Sequence, residues 1–248
     1  MIDNRNTIVL IPARMASTRL PGKPLADING LPMIVQCWKR AMEANIGQVL
    51  VAAAEVEIAD VVRAQGGDAI VTNPALPSGS DRIAEALALR DPQGRFEYVV
   101  NLQGDLPTID PLSIQRCLAG LTNEPADIST IAAKIERDED VANPNIVKAI
   151  APLSEEREVA FARDFLRTVG PGRAPPYWHH IGVYAYKRAV LERFVTLPVS
   201  AREAERKLEQ MRAMDDGMRI VVVRVDTVPL GVDTPAELET ARRMLRKA

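Results

Sequence analysis

Three cations, Arg14, Arg19 and Lys23, fall within ten residues of a stretch (RMASTRLPGK) that contains no acid. It follows an apolar run, residues 7–11 (TIVLI), and its small residues, Ala13, Ala16, Ser17 and Gly22, let an anion approach the backbone. A loop of this kind after a strand suits a polyphosphate; a solvated basic turn is the competing reading. Asp105 (NLQGDLP) and Asp233 (PLGVDTP) each stand where an apolar segment opens into a loop, Asp105 after Gly104, which permits close approach. Taken singly, Asp105 reads as a turn residue and Asp233 as part of a helix start. Taken together beside three cations, they meet the need of Mg2+, which takes one or two carboxylates and fills its shell with phosphate oxygens and water. A triphosphate bound there has its charge offset and its α-phosphorus open to in-line attack.

Other polar residues are more ambiguous. In PSGSDR, residues 77–82, Ser80 reads as the cap of a following helix, whose exposed backbone groups could also read a base edge. His179 and His180 adjoin a strand and lack the ligand spacing of a zinc site. His180 and Tyr184, four apart on that strand, share a face and either line a polar pocket or, for Tyr184, pack in the core. In LEQMR, residues 208–212, Leu208 and Met211 face inward and leave Glu209 and Gln210 to a ligand or to solvent.

At 248 residues, with a formal net charge of −2, the chain can bury a substantial core without disulfides or structural metals. A slightly acidic balance and a pI near 5.8 argue against a nucleic-acid or membrane-surface protein. Cys37 and Cys117 read as reduced core residues, and no run approaches the roughly 18 apolar residues of a membrane helix. The N-terminal residues do not resemble a signal peptide, so a soluble cytoplasmic protein is expected. Neither the GxxxxGK[ST] loop nor GxGxxG is present, which removes the support for a P-loop ATPase or a dehydrogenase.

The elements that must position these residues alternate. Strands are predicted at 7–11, 48–54, 68–71 and 98–102, with helices over 32–44, 57–65, from 80 and over 111–121, the last with Leu112, Leu118 and Leu121 on its apolar side. Residues 128–135 read as an edge or bent strand, and the pattern changes over 136–145. A less regular second half follows: strands at 146–151 and 180–186, helices over 155–167, 188–195 and 201–214, and a turn-rich, mobile loop at 170–176. A strand at 220–225 and a helix from Thr234, with Pro235 at its first position, close the chain. The expected fold class is α/β, a mostly parallel doubly wound sheet with ligands beyond the carboxyl ends of its strands.

Six segments, IPARMASTRLPGKPLADINGLPMI, PSGSDRIAEAL, NLQGDLP, HHIGVYAYKR, LEQMR and GVDTPAELE, in that order and across nearly the whole chain, closely resemble the 3-deoxy-manno-octulosonate cytidylyltransferase family. The resemblance implies a single Rossmann-like nucleotidyltransferase domain, usually dimeric. It also implies joining of CMP from CTP to 3-deoxy-D-manno-octulosonate (Kdo), with release of pyrophosphate, for lipopolysaccharide synthesis in the cytoplasm. Matched by position, Arg14, Arg19 and Lys23 hold the triphosphate, with Ala13 beside it, Asp105 and Asp233 bind Mg2+, and Ser80 and Arg82 lie at the cytidine. Gln103, His180, Tyr184, Glu209 and Gln210 face the sugar, joined by Arg163, which matches an arginine after a Phe-Ser pair. Residues 145–214 are then expected to carry the sugar side and the dimer contact.

The chain departs from the family pattern at Ala53-Ala54, where Thr-Asp is common, at Leu106 in place of an acid, around Arg163, and at Ala201-Arg202 in place of Pro-Leu. These changes leave the phosphate and metal residues intact and fall on the acceptor side. A cytidylyltransferase for a related acidic sugar, an 8-amino Kdo analogue or a nonulosonic acid, therefore stands as the alternative, with a non-catalytic nucleotide-binding paralogue behind it.

Overall fold

The computed structural model describes residues 3–123, 125–170 and 175–247, and these form two compact units. The first contains the residues up to Gln115 and those from Pro229 on; the second runs from Arg116 to Val228.

In the first unit β1 (Thr7–Ala13) is buried along its whole length, as its continuous apolar run requires. A short hairpin follows, β2 (Asp27–Ile28) and β3 (Leu31–Pro32), turned by Asn29 and Gly30, both at positive φ. Asn-Gly is the residue pair that such a turn prefers, so this hairpin carried a sequence signal that the helix-and-strand pattern passed over. Then come α1 (Met33–Ala44), β4 (Gln48–Ala53), α2 (Val56–Ala64), β5 (Asp68–Val71), α3 (Gly79–Arg90) and β6 (Tyr98–Asn101). The strands lie in the order β5-β4-β1-β6, all parallel. The loops after β1 and β6 therefore leave the same edge of the sheet. Leu112, expected to face inward on α4 (Pro111–Asn123), is 49% exposed.

The second unit departs further from expectation. β7 (Ile128–Lys134) is no edge strand: six of its seven residues are buried, and it is paired on both sides. After α5 (Asp138–Ala142) and β8 (Lys148–Ile150), the helix expected over 155–167 is replaced by two strands, β9 (Val159–Phe161) and β10 (Asp164–Leu166). The glutamates and arginines of residues 155–167 favour a helix locally, but Ala160 and Phe165 are buried by pairing with distant segments, and that outweighs propensity. β11 (Trp178–Lys187) pairs antiparallel with β7 and β8, and α6 (Arg188–Thr196) follows. The helix expected over 201–214 is broken into α7 (Ala201–Arg206) and α8 (Gln210–Asp215) by Lys207, which adopts the left-handed conformation at φ 56°. β12 (Ile220–Val225) runs parallel to β7 and antiparallel to β9. Residues 171–174 of the turn-rich loop lie outside the described residues. The chain then returns to the first unit with α9 (Pro235–Met244).

Gly104 is fixed by crowding. A Cβ there would sit 2.9 Å from the Pro12 carbonyl oxygen and 3.1 Å from Ile34 Cδ1, so the backbone that approaches this glycine is that of β1. Gly104→Ala is expected to destabilise the chain by about 1–3 kcal/mol through overpacking, read as a lower urea midpoint.

Candidate active site

The first unit holds a cleft of about 740 Å³ at the carboxyl edge of its sheet, lined by Ala13, Arg14, Arg19, Lys23, Gln103, Asp105, Asp233 and their neighbours. A small apolar cluster explains why residues so far apart in sequence meet here. Leu20, Ile28, Met33, Cys37, Val232, Leu238 and Ala241 pack together. Burying Leu20 and Val232 in one core places Arg19 and Asp233, the residues next to them, side by side, with Arg19 Nη2 2.8 Å from Asp233 Oδ2. The Val232 amide also donates to the Asp105 carbonyl at 3.0 Å, tying the third segment in. Thr234 caps α9 in a capping box with Glu237, whose carboxylate also accepts from the Asp233 amide at 2.9 Å. Thr234 is thus the cap, and the Asp233 carboxylate is left for the cleft.

Lys23 completes the arrangement. Gly22, at φ 67°, starts the short 3-10 turn Lys23–Leu25, in which Pro24 is buried. From it the Lys23 ammonium donates to Asp105 Oδ2 at 2.6 Å and to Asp233 Oδ1 at 2.9 Å. Burial by itself would lower the Lys23 pKa, but the charge of Asp105 and the bonds to both carboxylates outweigh it and hold the pKa above its ordinary value. Asp233 moves the opposite way: burial would raise its pKa, and Lys23 and Arg19 bring it below the usual carboxylate range.

Two carboxylates that converge within 3 Å of one ammonium form a donor set that fits a hard divalent cation with phosphate oxygens and water completing its shell. Among the described residues no group of three or more His, Cys, Asp and Glu is placed to hold a metal, so such an ion would need those outside ligands.

The nucleotide-side residues are placed differently from expectation in one respect. The α3 cap is Ser78, whose Oγ accepts from the Asp81 amide at 3.1 Å, while Ser80 is buried within the helix and Ser78 and Gly79 line the cleft instead. Ser78 and Asp81 show the S-x-x-D spacing of a capped helix, which was there to be read. Arg82 does line the cleft and is held by Thr72 Oγ1 at 2.7 Å and the Asn73 carbonyl at 3.1 Å. Ala53, Ala54 and Leu106, which replace polar family residues, are buried.

The remaining predicted residues belong to the second unit. Phe165, His180, Tyr184, Tyr186 and Phe194 form a run of ring contacts with centroids 4.9 to 6.1 Å apart. Arg212 lies 5.2 Å from the Phe194 ring centroid and bonds both oxygens of Glu203 at 2.7 Å. The Thr130 hydroxyl donates to the Val183 carbonyl at 2.8 Å and is hydrogen-bonded to His180 Nε2 at 3.0 Å. Burial pushes the His180 pKa down to about 3, and burial followed by the charge of Glu209 pushes the Tyr184 hydroxyl up. Gln210 is 6% exposed, and its Nε2 has no protein acceptor among the described residues. Arg163 lies apart from this run: it lines a separate cleft of about 250 Å³ with Ile150, Leu153 and Trp178.

The comparisons with known proteins fit this geometry. The sequence model of the cytidylyltransferase family matches residues 8–220, which makes the chain a nucleotidyltransferase of that class. A protein of Parvibaculum lavamentivorans named 3-deoxy-manno-octulosonate cytidylyltransferase is 57% identical over 97% of this chain and 93% of its own length. A Bradyrhizobium protein of the same name is 58% identical over 97% and 98%. The solved structure of CMP:2-keto-3-deoxy-manno-octonic acid synthetase complexed with CTP superposes with a TM-score of 0.87, at 36% identity over 96% of this chain and 98% of that one. A UTP-bound UGPase from Acinetobacter baumannii, 13% identical with a TM-score of 0.70 over 96% and 92%, shares the fold alone. The chain belongs to the 3-deoxy-manno-octulosonate cytidylyltransferase family and has its Rossmann-like nucleotidyltransferase fold.

His180 generates a prediction about acid stability. Its folded pKa of about 3 lies below the unfolded value near 6.5, so as pH falls through that window the unfolded chain takes up a proton that the folded chain refuses. This group should cost the protein about 2 kcal/mol between pH 7 and pH 5. His180→Gln keeps a hydrogen-bonding group for Thr130 and should flatten that part of the urea-midpoint profile.

Proposed function

We propose that this chain transfers CMP from CTP to the anomeric hydroxyl of Kdo, giving CMP-Kdo and pyrophosphate. The observation that carries the reading is the convergence of Arg19, Lys23, Asp105 and Asp233 in one cleft that Arg14 also lines. Triphosphate oxygens entering the cleft compete for the same cations, so Arg19 and Lys23 exchange carboxylate partners for phosphate and Arg14 adds a third contact. Asp105 and Asp233 are then free to hold Mg2+, which when bound supplies charge neutralisation on the phosphates and lowers the pKa of a bound hydroxyl. Asp105 and Asp233 are also the carboxylates able to accept a proton among the described residues that line the cleft, where no histidine is found.

Arg82, fixed by Thr72, takes the cytidine side. Gln103, His180, Tyr184, Glu209 and Gln210 keep the acceptor-sugar role that the family resemblance gives them. The buried amide nitrogen of Gln210 favours a polar ligand oxygen there. Arg163, which lines a cleft with Ile150, Leu153 and Trp178, keeps the acceptor-side role that the family resemblance gives it. No helix among the described residues is long and apolar enough to cross a membrane. A homodimer in the cytoplasm, serving lipopolysaccharide synthesis, completes the proposal.

Pyrophosphate release from CTP with Kdo and Mg2+ is the expected result; intact CTP binding without turnover would remove the reading. The same assay run across Kdo, its 8-amino analogue and a nonulosonic acid separates the acceptors by their specificity constants. Asp105→Ala should lower turnover by roughly 100-fold or more while changing the CTP dissociation constant far less, and equal activity would overturn the metal role.

A further inference from the structure

The tip of the basic loop is tied down by a residue that lies outside it. β1 and β4 stay in parallel register as far as Ala13 opposite Ala53. One more backbone bond follows, from the Ala54 amide to the Ala13 carbonyl at 2.9 Å. Beyond that point the Met15 amide is received by a side chain: Glu55 Oε2 accepts it at 2.9 Å. Arg14 is therefore the one residue between two bonds that fasten the chain leaving β1 to the chain leaving β4.

The position of Glu55 makes this use of its carboxylate informative. It occupies the N-cap position of α2, with extended backbone at φ −124°, where an acceptor ordinarily turns back to the first amides of its own helix. Its side chain makes no such bond and reaches across to the loop. The charges agree with the hydrogen bond. Arg14 and Arg82 both line the cleft, and Arg82 is only 2% exposed. Burial lowers the Arg82 pKa, the Glu55 charge raises it, the Arg14 charge lowers it, and Glu85 raises it more weakly. Glu55 thus offsets the repulsion between two guanidinium groups that face the same cleft.

We propose that Glu55 is a positioning residue for CTP: it sets, through the Met15 amide, the backbone from which Arg14 projects, and its charge lets Arg14 and Arg82 face the nucleotide together. The proposal rests on the cytidylyltransferase reading, and the test separates the two. CTP binding is measured by calorimetry, with the KM for CTP, kcat and urea midpoints, on the wild type and on Glu55→Ala, Glu55→Gln and Glu55→Asp. Glu55→Ala should weaken CTP binding about tenfold, as expected for a lost charge-assisted hydrogen bond, and the rise should appear in KM more than in kcat.

Glu55→Gln, which keeps an acceptor of the same reach, should recover part of that loss, whereas Glu55→Asp, one methylene shorter, should not. Asp can cap α2 at this position, so the urea midpoint of Glu55→Asp should be no lower than that of Glu55→Gln, and weaker CTP binding by Glu55→Asp cannot come from lost stability. Unchanged CTP affinity in Glu55→Ala, or equal affinities in Glu55→Gln and Glu55→Asp, would overturn the proposal. Should Glu55→Ala not fold, the Gln and Asp pair carries the test alone. A wild type that fails to bind CTP would instead count against the function itself.

Discussion

An ammonium group shared by two carboxylates is the constraint on which the rest of the cleft depends. Lys23 stands between Asp105 and Asp233, with Arg19 on the outer oxygen of Asp233. Held apart from a counter-ion, two partly buried carboxylates would repel each other and resist desolvation, and the loop after β1 would be left with unpaired cations. Pairing them stabilises the empty cleft and also sets the exchange that a polyanion provokes. The same cations that satisfy the carboxylates in the free chain are the ones a triphosphate needs, so the charges are placed before the ligand arrives.

Apolar packing makes that pairing possible. No local preference brings residue 19 to residue 233; the shared burial of Leu20 and Val232 does. The glutamate of the α9 capping box then holds the Asp233 amide, so a helix-start motif and a carboxylate that lines the cleft occupy neighbouring positions without competing for one side chain. Gly104 serves the same geometry from the other side, by letting the Pro12 backbone come close to the chain that carries Asp105.

How much of this was legible follows from where the determining contacts lie. Parallel strands buried on both faces write themselves as unbroken apolar runs, and β1, β4 and β6 were readable for that reason. The cations and carboxylates of the cleft were readable because they lie just beyond such runs. β9 and β10 were not, since they owe their conformation to partners in distant segments, and the break at Lys207 left no Gly or Pro to announce it. The α3 cap was legible as Ser78 rather than Ser80, because Ser78 and not Ser80 stands three residues before an acid. Glu55 carried no signal, because its acceptor role depends on a loop 40 residues earlier in the chain.

The first unit is assembled from both ends of the chain, with residues 116–228 set between its two parts. During synthesis the loop with Lys23 and the strand end with Asp105 emerge long before Asp233, and the apolar cluster lacks Val232, Leu238 and Ala241 until the last segment appears. A nascent chain therefore has Arg19 and Lys23 without Asp233, with Leu20 only partly covered. Asp233 meets Lys23 and Arg19 only when the final helix docks, which couples completion of the chain to completion of the cleft.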